Sequence, residues 1–201
     1  MTVSARCETQ EAQGWLTEAF TFRADKNTTV TIDVNQRARP EGSDDEQFLY
    51  RVTIEHRIAP GLRIGGGMLY AFSDTERELR PHQQITYGHG IFETRTRLEQ
   101  RFFEHAPRTG WRLRQRAQLL IPIDAAKRWS AVVAGEVMFH LNRARDNDTR
   151  GLAVLRSEIG VRHKVSKNLD VQLTYLRHQG IRESRADQIV HTPWLRLNFF
   201  L

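Results

Sequence analysis

From Trp111 to Ile123, residues of opposite character alternate one by one. Trp111, Leu113, Ala117, Leu119 and Ile121 share one face, broken only by Gln115, while Arg112, Arg114, Arg116 and Gln118 share the other. A helix would scatter those arginines around its circumference; a strand collects them on one side. The same period of two returns along most of the chain. Phe48, Tyr50, Val52, Ile54 and Ile58 oppose Arg51, Thr53, Glu55 and Arg57. Glu93, Arg95, Arg97, Glu99 and Arg101 form a single charged row. In 62–72 the apolar residues Leu62, Ile64, Met68, Tyr70 and Phe72 face small ones, Gly65, Gly67 and Ala71. In 130–141, Ala131, Val133, Val137, Phe139 and Leu141 alternate with Glu136 and His140.

Turn residues punctuate the pattern. Short turns fall at 25–27, 59–61, 89–90, 124–127 and 166–168, and longer polar loops at 39–46, 73–80, 105–110, 143–151 and 180–188. This divides the chain into about eleven strands, at 15–24, 28–37, 47–58, 62–72, 82–88, 91–104, 111–123, 129–142, 152–165, 169–179 and 189–201. All six prolines are expected in connections or near strand ends, where a missing ladder donor is tolerated. A closed barrel usually has an even strand number. Either residues 2–11 add a strand, making twelve, or 82–88 belongs to a loop, making ten. One domain spans 1–201, with 1–13 an extra strand or a disordered lead-in.

Strands of ten to fourteen residues exceed the five or six common in globular proteins and match what a tilted strand needs to cross a bilayer. No stretch approaches eighteen uncharged apolar residues, so no transmembrane helix is expected. Alternating short and long connections point the same way: the fold class is all-β, an antiparallel up-and-down transmembrane β-barrel of 10–12 strands. The basic residues divide into 26 arginines and only 4 lysines. Arginine pairs bidentately with carboxylates, so the ladders suit a crowded barrel interior better than a solvated face. The expected inner wall comprises Arg51, Glu55, Glu93, Arg95, Arg97, Glu99, Arg101, Arg112, Arg114, Arg116, Glu136, Arg156, Glu158, Arg162 and Arg196. Trp15, Trp111 and Trp129, each at a strand start, are expected in the interfacial girdle, with Trp194 left out because it shares the register of Arg196 and Asn198. The alternating row Leu195, Leu197, Phe199 and Leu201 resembles the signal read by the outer-membrane assembly machinery.

The strand Arg95-x-Arg97-x-Glu99-Gln100-Arg101, the arginine row after it and the run Gly135-Glu136-Val137-Met138-Phe139-His140-Leu141-Asn142 resemble an uncharacterised family of Gram-negative outer-membrane barrels, over residues 15–201. Gly135 stands where that family more often has Asn. The resemblance implies a fold and a location and no activity, since the family is known only as a domain of unknown function.

Several chemistries are disfavoured. No His-x-Ser pair of the kind used by lipid-acting barrel enzymes is present. The eight histidines show neither the i, i+2 nor the i, i+4 spacing of a metal site. Asp44, Asp45 and Glu46, and Asp146 with Asp148, read as solvated loop charges, with weak binding of a divalent cation or contact with the lipopolysaccharide cation layer as the alternative. Gly65-Gly66-Gly67 lacks the Lys-Ser/Thr of a phosphate loop. A net charge of +6 and a pI near 10 invite nucleic-acid binding, but the arginines are interleaved with glutamates and no recognition helix is visible. One cysteine, Cys7, leaves no internal disulfide. No leader is visible in the first dozen residues, so a mature outer-membrane form is expected. The expected function is a narrow arginine- and glutamate-lined pore or passive channel with anion preference and no cofactor. The alternative is a plugged structural or interaction barrel; a lipid-acting enzyme ranks below both. Expected partners are membrane lipid and lipopolysaccharide, the assembly machinery and small anionic solutes, with no nucleic acid.

Overall fold

The computed structural model describes residues 9–38, 46–183 and 186–201; Cys7, Asp44 and Asp45 lie outside that set. Its elements are β1 (Thr9–Ala12), β2 (Gly14–Arg23), β3 (Thr28–Ala38), β4 (Gln47–Ala59), β5 (Leu62–Phe72), β6 (Arg77–His89), β7 (Phe92–Phe103), β8 (Gly110–Pro122), β9 (Trp129–His140), β10 (Gly151–Lys164), β11 (Leu169–Gly180) and β12 (Gln188–Phe200). From β2 to β12 each strand pairs antiparallel with the next. The sheet closes because β12 also pairs with β2.

That seam is parallel. An odd number of up-and-down staves sends the first and last in the same direction, so eleven strands close only by a parallel ladder. β1 prolongs the first stave: Ala12 lies opposite His191 and Trp15 opposite Trp194, one constant offset along β12. The gap between β1 and β2 is the single residue Gln13, which the same offset places opposite Thr192 and whose N–H still donates to the His191 carbonyl at 3.0 Å. Residues 9–12 do add a strand, so the sheet has twelve, within the expected 10–12, but β1 extends the first stave instead of forming one of its own; eleven staves close, and the parallel seam satisfies the edge groups as an even count would.

Two other expectations change. Residues 77–81 belong to β6, not to a loop, and only 73–76 connects it to β5. Pro81 and Pro193 sit inside strands. At Pro81 the ladder to β7 is interrupted, running from Leu79↔Phe102 to His82↔Glu99 with no partners between. Gly65 and Gly67 let β4 and β5 approach closely: a Cβ there would come within 2.1 and 1.9 Å of the Ile54 and Val52 carbonyl oxygens.

The two faces of the wall are inverted relative to a water-soluble barrel. Ile54, Ile64, Met68, Ile85, Ile159 and Leu173 stand on the outside, uncovered. Glu78, Arg97, Glu99, Arg112, Glu136 and Glu158 are buried inside. Transfer of aliphatic side chains to hydrocarbon favours that orientation, and each buried charge inside meets a partner.

Candidate functional site in the barrel lumen

Period-two alternation aims one side chain in two at the lumen, so the charged rows of neighbouring strands meet there. All fifteen charged residues singled out above face inward. Toward the long loops, Glu78 accepts two hydrogen bonds from Arg101, at 2.6 and 3.1 Å, and pairs with Arg80. A belt follows at mid-height. Glu99, only 2% exposed, accepts from Arg112 Nε at 2.7 Å and Arg114 Nη1 at 2.8 Å. Arg97, equally buried, donates to Gln84 Oε1 through Nε at 2.9 Å and Nη2 at 2.6 Å. Glu136 gathers Arg114, Arg156 and Arg95 at 2.7, 3.2 and 3.5 Å.

Toward the short turns, Glu158 holds Arg116 at 2.9 Å, Arg196 at 2.6 Å and Gln172 at 3.2 Å. Arg51 forks onto Asp33 at 2.8 and 2.9 Å, Arg63 reaches Glu93 at 3.0 Å, and Arg162 pairs with Asp170. Glu55 accepts from Gln84 at 2.9 Å and Thr86 at 2.7 Å. Side chains from separate staves also meet over one ring: Arg37 on β3 and Arg156 on β10 lie 4.0 and 5.3 Å from the centre of the Trp15 ring.

Sequence reading missed part of this wall. Glu78, Arg80, His82, Gln84 and Thr86 alternate along β6, but Pro81 and Gln83 on the outer face hid the apolar half of the signal. Asp33, Arg37, Arg63, Asp170 and Gln172 also face the lumen without having stood out, each an isolated polar residue between neutral neighbours. Trp15 corrects a placement: it is 5% exposed and points inward, with Arg37 stacked at 4.0 Å on its ring, so it is no girdle residue. It is in register with Trp194, itself inward with Arg196 3.3 Å from its ring. Trp111 and Trp129 face outward, at the long-loop and short-turn ends respectively. Leu195, Leu197, Phe199 and Leu201 also alternate outward, with Phe199 stacked on Phe20 at 4.9 Å.

Among the described residues, a roomy compartment lies in the lumen at the short-turn end. A chamber of about 350 Å³ opens toward the short turns, from Phe200, Arg162 and Glu93 inward to Arg114 and Glu136. Seven arginines line it, Arg51, Arg95, Arg114, Arg116, Arg156, Arg162 and Arg196, against Asp33, Glu93 and Glu136. Glu158 and Asp170, engaged by three of those arginines, still leave guanidiniums in excess. At the other end, residues 141–150 reach across the rim to neighbouring connections. Ala144 is buried, Arg145 stacks 4.6 Å from the Phe103 ring and pairs with Glu76, and Asp146 pairs with Arg108. Glu183 accepts from Arg143 and from the Arg150 backbone N–H at 2.8 Å; the backbone donor first, then Arg143, holds its carboxyl below the usual range. Asp148 caps the same loop, accepting from the Ala144 and Arg145 amides at 3.1 and 2.9 Å, so Asp146 and Asp148 both have protein partners.

A family model described as "Protein of unknown function (DUF2490)" matches residues 12–189. The chain belongs to that family. No curated protein sequence matches it. Among solved structures, one described as the NanC porin in a rhombohedral crystal form aligns with a TM-score of 0.59 at 10% identity, covering 88% of this chain and 92% of that one. The likeness is one of fold: this DUF2490 barrel shares a porin-like architecture, and the chemistry of its lumen has to be read from its own side chains.

Proposed function

We propose that this protein is an outer-membrane channel-type barrel, a narrow arginine- and glutamate-lined passage that prefers small anions. The observation that carries the reading is the chamber's charge, seven arginines against three carboxylates on the lining. In a low-dielectric wall such an excess raises the local concentration of anions and opposes cations. The apolar outer surface supplies the membrane-facing side, with Trp111 and Trp129 at the two interfaces and lipid or lipopolysaccharide as the surroundings. In this reading the outward row Leu195, Leu197, Phe199 and Leu201 is what the assembly machinery engages.

A second reading, a plugged structural or interaction barrel, rests on the buried belt of Arg97, Glu99, Arg112 and Glu136. Long side chains fill the interior of barrels this narrow. Planar-bilayer recording of the refolded protein separates the two. Stable open steps, with a reversal potential shifted toward the anion in a salt gradient, support the passage; silence supports the plug. Arg97→Ala combined with Arg114→Ala, kept heat-modifiable on a gel, is expected to raise conductance or lower anion preference. Unchanged current in that variant removes the belt from the conduction path.

A further inference from the structure

Six of the seven chamber arginines have a carboxylate as hydrogen-bond or close ion-pair partner: Arg51 has Asp33, Arg162 has Asp170, Arg116 and Arg196 share Glu158, and Arg114 and Arg156 share Glu136. Arg95 is the exception. Its nearest carboxylate oxygen, on Glu136, is 3.5 Å away and already accepts from Arg114 at 2.7 Å. Its Nε is buried and finds no partner among the described residues. Arg95 also lies directly opposite Arg116 in the β7–β8 ladder, a like-charge pairing that costs stability unless something neutralises it. Arg51 and Arg114 line the same chamber and add further positive charge.

We infer that Arg95, with Arg116 and Arg51, seats a small oxyanion at the inner end of the chamber. A guanidinium fork matches phosphate and carboxylate oxygens bidentately, and a bound anion would satisfy the orphaned Nε and relieve the Arg95–Arg116 repulsion at once. Glu136 does not cancel this, because its charge is divided among three guanidiniums. The ligand is a free phosphate- or carboxylate-bearing solute arriving from the short-turn side, toward which the chamber opens. This deepens the anion-preferring reading above and rests on it.

Calorimetric titration of the refolded protein in a non-ionic detergent with inorganic phosphate, at low ionic strength, tests the seat. Saturable binding is expected. Losing a charge-assisted contact should weaken it about ten- to hundredfold in Arg95→Gln, with Arg95→Lys retaining part of it. Arg108→Gln, in the loop pair with Asp146, should bind as the parent does. Absence of saturable binding to the folded parent, or Arg95→Gln binding within twofold of it, overturns the seat. Anion-selective current without phosphate binding overturns the seat alone. Phosphate binding sensitive to Arg95 without current leaves the seat standing and removes the passage.

Discussion

Trp15 and Trp194 face each other across the parallel seam, ring centroids 5.1 Å apart and planes at 76°, the edge-to-face arrangement. Trp194 Nε1 also donates to Thr17 Oγ1 at 2.9 Å, a side-chain bond across the same pair of strands. A pair of this kind contributes about 0.5–1.5 kcal/mol beyond area burial, and truncating a buried tryptophan costs about 3–5 kcal/mol. Trp15→Ala, at the buried member of the pair, is expected to lower the unfolding free energy of the barrel, measured by urea titration in lipid vesicles, by that order. Trp111→Ala, facing outward at the far end of another stave, is expected to cost much less. Equal losses in the two variants would mean that the seam is not a special point of stability.

Glu99 binds Arg112 and Arg114 and is almost wholly enclosed, so its removal leaves two buried cations short of a partner. Breaking a buried pair from one side costs about 3–5 kcal/mol. Glu99→Gln, which keeps the shape and loses the charge, is expected to destabilise the barrel by that order in the same unfolding measurement. Exchange of the exposed Glu104, whose contact with Arg77 is 3.7 Å long, is expected to cost well under 1 kcal/mol.

The period of two made the wall legible. Wherever both halves of the alternation were chemically distinct, as in β7 and β8, strand limits and inward residues could be read within a residue or two. It failed where one half was blurred. Pro81 and Gln83 on the outside of β6 disguised Glu78 and Arg80 as loop residues. Trp15 was placed by its position next to a connection, yet orientation is decided by register, and Trp15 shares the inward register of Thr17. The parallel seam left no local trace, because closure depends on the parity of all the strands together. Partner choice was legible only between neighbours: Arg101 turns to Glu78 on β6, a residue the sequence had not marked as lumenal.

Gly67 and Gly135 offer a contrast within similar strands. A Cβ on Gly67 would sit 1.9 Å from the Val52 carbonyl oxygen and 2.9 Å from the Thr53 Cα, both backbone atoms of a paired strand that cannot retreat without breaking the ladder. A Cβ on Gly135 would meet nothing nearer than 3.9 Å. Gly67→Ala is therefore expected to reduce or abolish the heat-modifiable folded species on unboiled gels, while Gly135→Ala folds like the parent. A fully folded Gly67→Ala barrel would show that β4 and β5 can move apart at this point.

The turn between β8 and β9 carries the fourth prediction. Asp124 accepts backbone hydrogen bonds from Trp129 at 2.7 Å and Arg128 at 3.1 Å, and the Trp129 bond foremost holds its carboxyl below the ordinary value of 3.8. A carboxyl lowered in the folded state contributes stability that is complete above its unfolded pKa and is lost as pH falls through the folded one. The turn should therefore hold at neutral pH and loosen below about pH 4, within the window set by that downward shift. Amide hydrogen exchange of residues 124–129, corrected for intrinsic rates, is expected to show protection falling across that range. In Asp124→Asn the acid-dependent step should disappear, because the amide oxygen keeps the Trp129 bond without titrating, while the Arg128 bond accepted by the second carboxylate oxygen is lost at every pH. A step of the same size in both proteins would assign the acid sensitivity to a group other than Asp124.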